Sequence, residues 1–162
     1  MKSAGAEMDV NFKYWFSLTL LVVLSMLTAC SAVKIYPNTL DKNVRVNTKT
    51  DSGVDAAIEI YEVKPDCGIE YSGTIQLDNP VMDIGLATGR SSYLVFIFSS
   101  SGFFTGSSTI SYDTLLRPRK SIRYDIDVSY RDDIYNVVVH ESLASNKRQE
   151  IEAKSLADCK PL

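Results

Sequence analysis

Alternation of apolar and polar residues predicts β-strands along most of the chain after residue 43. The clearest case is residues 122–130, where every second residue is Ile, Val or Tyr and the residues between them are polar or charged. Successive side chains of a strand point to opposite faces, so this period of two predicts one buried face and one solvated face. Residues 69–77 repeat the pattern. The run Tyr93–Phe98 is apolar without a break and predicts a central strand covered on both faces.

Shorter β-rich runs fill most of the remaining sequence, with turn residues between them. They are Val44–Asn47, Ala56–Val63, Val81–Leu86, Thr109–Leu116 and Ile134–Glu141. Arg131-Asp132-Asp133 predicts a tight hairpin between residues 122–130 and the last of these runs. Residues 147–156 fit either an edge strand or one or two helical turns. These patterns predict an all-β domain over residues 44–162, a single antiparallel β-sandwich of about seven to eight strands, with a barrel as the alternative.

The apolar segment Trp15–Leu27 differs from everything that follows it. It carries no charge and is 13 residues long. That length matches the apolar region of a signal peptide, about 7–15 residues, and is below the roughly 18 residues that predict a membrane-spanning helix. Because of this length, we interpret residues 1–29 as a helical signal peptide. The alternatives are an uncleaved signal anchor and a buried core helix.

Leu27-Thr28-Ala29-Cys30 ends that segment with a bulky residue, two small residues and a cysteine. These residues resemble the lipobox of bacterial lipoproteins, and the resemblance covers about the first 31 residues. In that family the cysteine sulfur takes up diacylglycerol, the leader is cut before the cysteine, and the new amino group is acylated, for example with palmitate. The resemblance implies that Cys30 is lipidated, that residues 30–43 form a tether, and that these lipids are the only cofactor.

The residue after the lipidated cysteine bears on the destination of such a protein. In enteric bacteria an aspartate there retains lipoproteins in the inner membrane, whereas this chain has Ser31. The resemblance therefore implies the outer membrane, with the periplasmic face favoured over the cell surface. The formal net charge is −3 and the basic residues are scattered. Because nucleic-acid binding requires a concentrated basic surface, we expect no nucleic-acid partner.

Two cysteines remain if Cys30 carries lipid. In an oxidising compartment Cys67 and Cys159 are expected to form a disulfide. The bridge would close a loop of about 93 residues and stabilise the fold by up to roughly 4 kcal/mol through chain entropy. A metal site, a redox pair and two separate thiols are the alternatives. The sequence has no Cys-x-x-Cys and a single histidine, His140, which favours the structural disulfide.

Candidate catalytic and metal-binding residues are few. His140 with Ser142, or with Ser91 and Ser100, are residue types of a hydrolase, but the Gly-x-Ser-x-Gly motif is missing and a lone histidine at a strand end is usually structural. Four carboxylates, of Asp125, Asp127, Asp132 and Asp133, are of the type that binds calcium. A solvated sheet face and an acidic turn explain them more simply, because calcium-loop spacing is absent. We expect neither a catalytic site nor a metal site.

Two surface features are candidates for partner binding. Arg117, Arg119 and Lys120 surround Pro118, and such cations are attracted to anionic headgroups or acidic glycans, unless they only solubilise a turn. Phe103 and Phe104 lie in the middle of a Ser- and Gly-rich loop. Exposed aromatic side chains are favoured at interfaces, so they form either a binding tip or a cover over the core.

The order of an apolar strand, a loop, a basic Pro-containing turn and a Tyr-rich alternating strand resembles small lipoprotein β-sandwiches of transthyretin-like, immunoglobulin-like or carbohydrate-binding architecture. Ser121 stands where such turns often carry glycine. Taken together, the sequence predicts a non-enzymatic lipoprotein that binds or scaffolds another envelope protein. A glycan- or peptidoglycan-binding module, which would need aromatics on one exposed face, and an enzyme inhibitor are the alternatives.

Overall fold

A computed structural model describes residues 33–37, 39–102, 106–142 and 147–161. These residues form nine strands and one 3₁₀ turn. Within them, no helix has the length and apolar character that crossing a bilayer requires. The elements are β1 (Val44–Thr50), β2 (Val54–Val63), β3 (Ile69–Gln76), β4 (Val81–Ile84), β5 (Ser92–Gly102), β6 (Gly106–Leu116), β7 (Arg123–Arg131), β8 (Ile134–Ser142), β9 (Arg148–Ile151) and the turn η1 (Leu156–Asp158). The all-β prediction is confirmed.

The strands form two sheets that pack against each other as a β-sandwich. One sheet has five strands in the order β4-β1-β7-β8-β9, and the other has four in the order β3-β2-β5-β6. The prediction of a purely antiparallel sandwich is wrong in one place, because β1 runs parallel to β7. The chain crosses to the other sheet after β1, so no local hairpin fixes the direction of that strand. The described strands also exceed the expected seven to eight, since residues 147–156 contribute β9.

The core lies between the sheets and is made of the alternate residues of the central strands. On the inner face of the four-stranded sheet, Ile58 and Ile60 of β2 lie beside the inward side chains of the neighbouring strand β5, which are Leu94, Phe96 and Phe98. All five side chains are at most 2% exposed. The facing sheet contributes further buried side chains. These are Val44, Val46, Tyr124, Ile126 and Val128. Burial of this apolar surface is the main force that holds the two sheets together.

Two turns depend on residues in the left-handed region. Asp132 and Asp133 have φ values of 51° and 61° and join β7 to β8 as a two-residue turn. Positive φ at both positions is the requirement of a type I′ hairpin, and aspartate tolerates it, so the predicted hairpin is confirmed. Ser121, in the basic Pro-containing turn, has φ 63°. A serine thus occupies a conformation that usually favours glycine.

Part of the predicted tether pairs with β3. The Thr74 amide donates to the Lys34 carbonyl at 2.8 Å, and the Tyr36 amide donates to the Thr74 carbonyl at 3.0 Å. Tyr36 is buried, and its hydroxyl donates to the Gly85 carbonyl at 2.8 Å. Gly73 makes room for this segment, because a Cβ there would lie 2.6 Å from the Tyr36 backbone. Residues 34–36 are therefore docked onto the edge of the four-stranded sheet.

The predicted disulfide is present between Cys67 and Cys159, which are 92 residues apart in sequence. Cys67 lies in the connection between β2 and β3, and Cys159 directly follows η1. A second contact holds the same tail, since the Leu115 amide donates to the Lys154 carbonyl at 2.8 Å. The C-terminal segment is thus fixed to the four-stranded sheet by a covalent bond and by hydrogen bonds.

Candidate interaction surface

The outer face of the five-stranded sheet is polar, and we call it the charged face. The side chains that alternate with the core residues on this sheet form it: Arg45, Asn47, Asp83, Arg123, Asp125, Asp127, His140, Ser142 and Arg148. Arg45 and Arg123 both donate to Oδ1 of Asp83, at 3.1 and 2.8 Å. Opposite charges on neighbouring strands therefore neutralise each other locally.

A second network on the charged face surrounds Asp125 and Asp127. The Arg148 guanidinium lies 3.7 Å from Asp125 and 3.0 Å from Asp127. Asn47 donates to Asp127 at 2.7 Å, and the His140 Nδ1 is 3.5 Å from the same carboxylate. Arginine and amide donors already hold these oxygens in place. Among the described residues, no group of three or more His, Cys, Asp or Glu is arranged to hold a metal ion.

The geometry around His140 does not resemble that of a hydrolase. The Ser142 hydroxyl donates to Asp125 at 2.6 Å, so its proton is directed at a carboxylate and not at the imidazole. The His140 Nδ1 lies 3.3 Å from Arg148. A nucleophile–base pair needs the serine proton to be within reach of the histidine nitrogen. Both residues instead belong to the polar network that covers this sheet.

The ion pairs at Asp83 make stability depend on pH in a defined direction. The hydrogen bond from Arg45, with that from Arg123, lowers the pKa of Asp83 below its ordinary value. Ionised Asp83 therefore stabilises the folded state above the unfolded-state pKa of about 3.9, and this contribution disappears as the pH falls through the lower folded-state pKa. Asp83→Asn should cost less than about 1 kcal/mol near neutral pH, because the pairs are partly exposed.

Urea unfolding of the wild type and Asp83→Asn across an acidic pH series checks this expectation. The difference between their free energies of unfolding should be constant above about pH 5 and shrink below about pH 4. It should also shrink at high salt, because the charges are partly screened by solvent ions. A difference that stays the same at all pH values would contradict the assignment of the ion pairs.

The outer face of the four-stranded sheet carries a line of aromatic rings. Tyr71 of β3 pairs with Tyr61 of β2, which pairs in turn with Tyr93 of β5. Their ring centroids are 5.4 Å and 5.9 Å apart, and all three side chains are only half-buried. We call these three residues the tyrosine row. The row runs across the sheet at right angles to the strands.

Aliphatic side chains extend this apolar surface. Val95 and Ile97 alternate with the core residues of β5 and so point away from the core, and Leu115 of β6 pairs with Tyr93. All three are half-buried. The tyrosine row with Val95, Ile97 and Leu115 is named the tyrosine face. The prediction that Tyr93–Phe98 is covered on both sides is therefore wrong for the described residues, because the outward half of the run stays partly exposed.

Hydrogen bonds fix the tyrosine hydroxyls. Tyr61 donates to Glu59 at 2.7 Å, and this bond, together with burial, raises the pKa of Tyr61 to about 12. Burial, together with the neighbouring Asp113 carboxylate, also raises the pKa of Tyr93. The Tyr71 hydroxyl is 2.6 Å from the Thr74 hydroxyl. These contacts hold the Tyr61 and Tyr71 hydroxyls in place.

The predicted binding residues of the basic turn take part in the fold. The Arg117 Nε donates to the Gly89 carbonyl at 3.0 Å. Arg119 forms an ion pair with Glu141, and its amide donates to the Tyr124 hydroxyl at 3.1 Å. These contacts hold the turn against the rest of the domain, and the role of Arg117 and Arg119 in partner binding stays a prediction. Cys30, Phe103 and Phe104 lie outside the described residues, so their roles stay predictions.

The tyrosine face was not predicted from the sequence. The alternation of residues 69–77 placed Ile69 and Tyr71 on the same buried face as Ile75 and Leu77, and for Ile69 and Tyr71 this is wrong. The register shift between Ile60 and Tyr61 turns both residues to the outer face, where Tyr71 pairs with Tyr61. No protein-family model matches this sequence, and comparisons with curated proteins and with solved structures return no match.

Proposed function

We propose that this chain is a lipid-anchored protein of the bacterial envelope whose sandwich is a non-catalytic binding or scaffolding domain. The lipobox at residues 27–30 supports the anchor, and Ser31 supports the outer membrane as its destination. The domain would face the periplasm, in keeping with its disulfide, since such bonds persist in oxidising compartments. The transthyretin-like or immunoglobulin-like arrangement expected from the sequence is supported by the two packed sheets.

The observation that carries the binding role is the contrast between the two outer faces. The charged face has its ions paired within the sheet, as expected of a surface that meets only water. On the tyrosine face, the tyrosine row and Leu115 instead form a line of aromatic and aliphatic side chains across the sheet. Val95 lies in the next row, between Glu59 and Asp113, and Ile97 lies beyond it. Contiguous apolar surface on a soluble domain marks an interaction site, and tyrosine is enriched at such sites. We therefore place the binding function on the tyrosine face.

A glycan-binding module is the second candidate, because the tyrosine row meets its requirement for aromatics on one exposed face. Sugar recognition also needs polar groups that are available to the sugar hydroxyls. Here the Tyr61 hydroxyl is engaged with Glu59, and the Tyr71 hydroxyl with Thr74. The rings are thus better suited to an amphipathic or apolar partner than to a polysaccharide.

Membrane fractionation of variants expressed with their own leader tests the lipid anchor. Wild type should be recovered with the outer membrane, and Cys30→Ala should leave that fraction, either as soluble protein or as uncleaved precursor. The double variant Cys67→Ser with Cys159→Ser is the matched control, because it loses two cysteines and their disulfide but keeps the lipobox. It should stay with the outer membrane. Equal recovery of wild type and Cys30→Ala in that fraction would contradict the proposal.

A further inference from the structure

We propose that the tyrosine row, together with Ile35 and Ile69, rests on the phospholipid surface in which the lipid of Cys30 is embedded. This inference rests on the proposed lipid anchor and adds to it the side of the domain that meets the membrane. Three observations support it. The tether is short, the surface beside it is aromatic and aliphatic, and carboxylates lie at the boundary of that surface.

The tether leaves the domain little freedom to move away from the bilayer. Lys34 follows Cys30 by four residues, which span at most about 14 Å even when fully extended. Residues 34–36 are docked on the domain, because the Lys34 carbonyl accepts from the Thr74 amide and the Tyr36 amide donates to the Thr74 carbonyl. The buried Tyr36 side chain secures the segment further. An anchor at Cys30 therefore holds Lys34 close to the headgroups.

The surface beside Lys34 has the composition of a membrane interface. The Lys34 ammonium lies 5.9 Å from the centroid of the Tyr71 ring, at one end of the tyrosine row. Ile35 is 81% exposed, and Ile69, two residues before Tyr71, is 40% exposed. Tyrosine is enriched at headgroup level because its ring is apolar and its hydroxyl polar, while a lysine there keeps its charge among the headgroups.

Two carboxylates mark where this contact surface ends. Glu59 and Asp113 lie on the same outer face, in the next row of side chains beyond the tyrosine row. Charged carboxylates are expensive to move into an apolar layer, so they should stay in water. The sheet would then be tilted, with the tyrosine row against the lipid and Ile97 farther from it. The charged face of the other sheet is left to the aqueous side.

Tryptophan fluorescence offers a direct test, because the only tryptophan of the sequence is Trp15, which is lost with the leader. Ile35→Trp and Tyr93→Trp place a probe on the proposed contact surface. Ile134→Trp is the matched control, since Ile134 is also an exposed isoleucine, at 70%, and follows the β7–β8 turn at the opposite end of the strands. Each lipidated variant is reconstituted into phosphatidylethanolamine and phosphatidylglycerol vesicles with or without brominated acyl chains.

Brominated lipid should quench the probes at positions 35 and 93 several-fold more strongly than the probe at position 134. If tryptophan at position 35 disturbs the docked segment, Tyr93→Trp still provides a probe on the proposed contact surface. Vesicle-bound, lipidated protein with equal or no quenching at the three positions would overturn the inference and leave the anchor intact. A chain that carries no lipid would overturn both. Fluorescence changes at positions 35 and 93 produced by soluble peptidoglycan fragments alone would assign the face to glycan instead.

Discussion

Phe96→Ala should lower the free energy of unfolding by about 3–5 kcal/mol, which is the usual cost of removing a large buried aromatic side chain. Phe96 is fully buried at the centre of β5, between Ile58 of β2 and Tyr112 of β6. Its ring centroid is 6.3 Å from that of Tyr112. Truncation would remove these contacts and leave a cavity between the sheets. Chemical denaturation of both proteins measures the difference.

Val95→Ala provides the control for this experiment, because Val95 is the neighbour of Phe96 and points to the opposite face. It should cost about 1 kcal/mol or less, since substitutions away from a packed core have small effects. If Val95→Ala were as destabilising as Phe96→Ala, the outward side of β5 would be packed as tightly as the core. That result would remove the tyrosine face as an available surface.

Loss of the disulfide should have the second-largest effect. Replacing Cys67 and Cys159 by serine should lower the free energy of unfolding by about 2–4 kcal/mol, mainly because the unfolded chain regains the freedom of a long loop. The two cysteines are 92 residues apart, so the bridge constrains most of the domain. In the folded state the change should be local, since strand pairing and the Leu115–Lys154 hydrogen bond remain.

A reducing agent gives an independent measurement of the same quantity. It should destabilise wild type by a similar amount and leave the double serine variant unchanged, because the lipidated Cys30 of the proposal has no free thiol. Sensitivity of the double variant to reduction, or identical unfolding midpoints for wild type and variant, would contradict the expected contribution of the bridge.

Local patterns were sufficient to predict much of the fold. The strict alternation of residues 122–130 specifies which face is buried, and Tyr124, Ile126 and Val128 are indeed in the core. Asp132 and Asp133 identify the hairpin because few residue pairs tolerate positive φ at both positions. The pairing of Cys67 with Cys159 follows once Cys30 is assigned to lipid. The strand and hairpin predictions depend only on residues that are neighbours in sequence, and the disulfide prediction depends only on the number of cysteines.

Features that depend on distant residues were not predictable in the same way. The parallel pairing of β1 with β7 joins strands separated by most of the domain. The sequence of residues 33–36 predicts a short extended piece, but its docking onto the sheet could not be predicted, because it depends on the space above Gly73. An unbroken apolar run such as Tyr93–Phe98 is compatible with burial on both faces or on one, and only the sheet decides between them.

Intact mass spectrometry of the protein purified from membranes, beside Cys30→Ala, tests the lipid anchor most directly. We expect the wild-type mass to correspond to a chain that lacks residues 1–29 and carries diacylglycerol and an N-acyl group on Cys30. The Cys30→Ala protein should carry no lipid. A wild-type chain of full length without any lipid would contradict the lipoprotein proposal and, with it, the contact between the tyrosine row and the membrane.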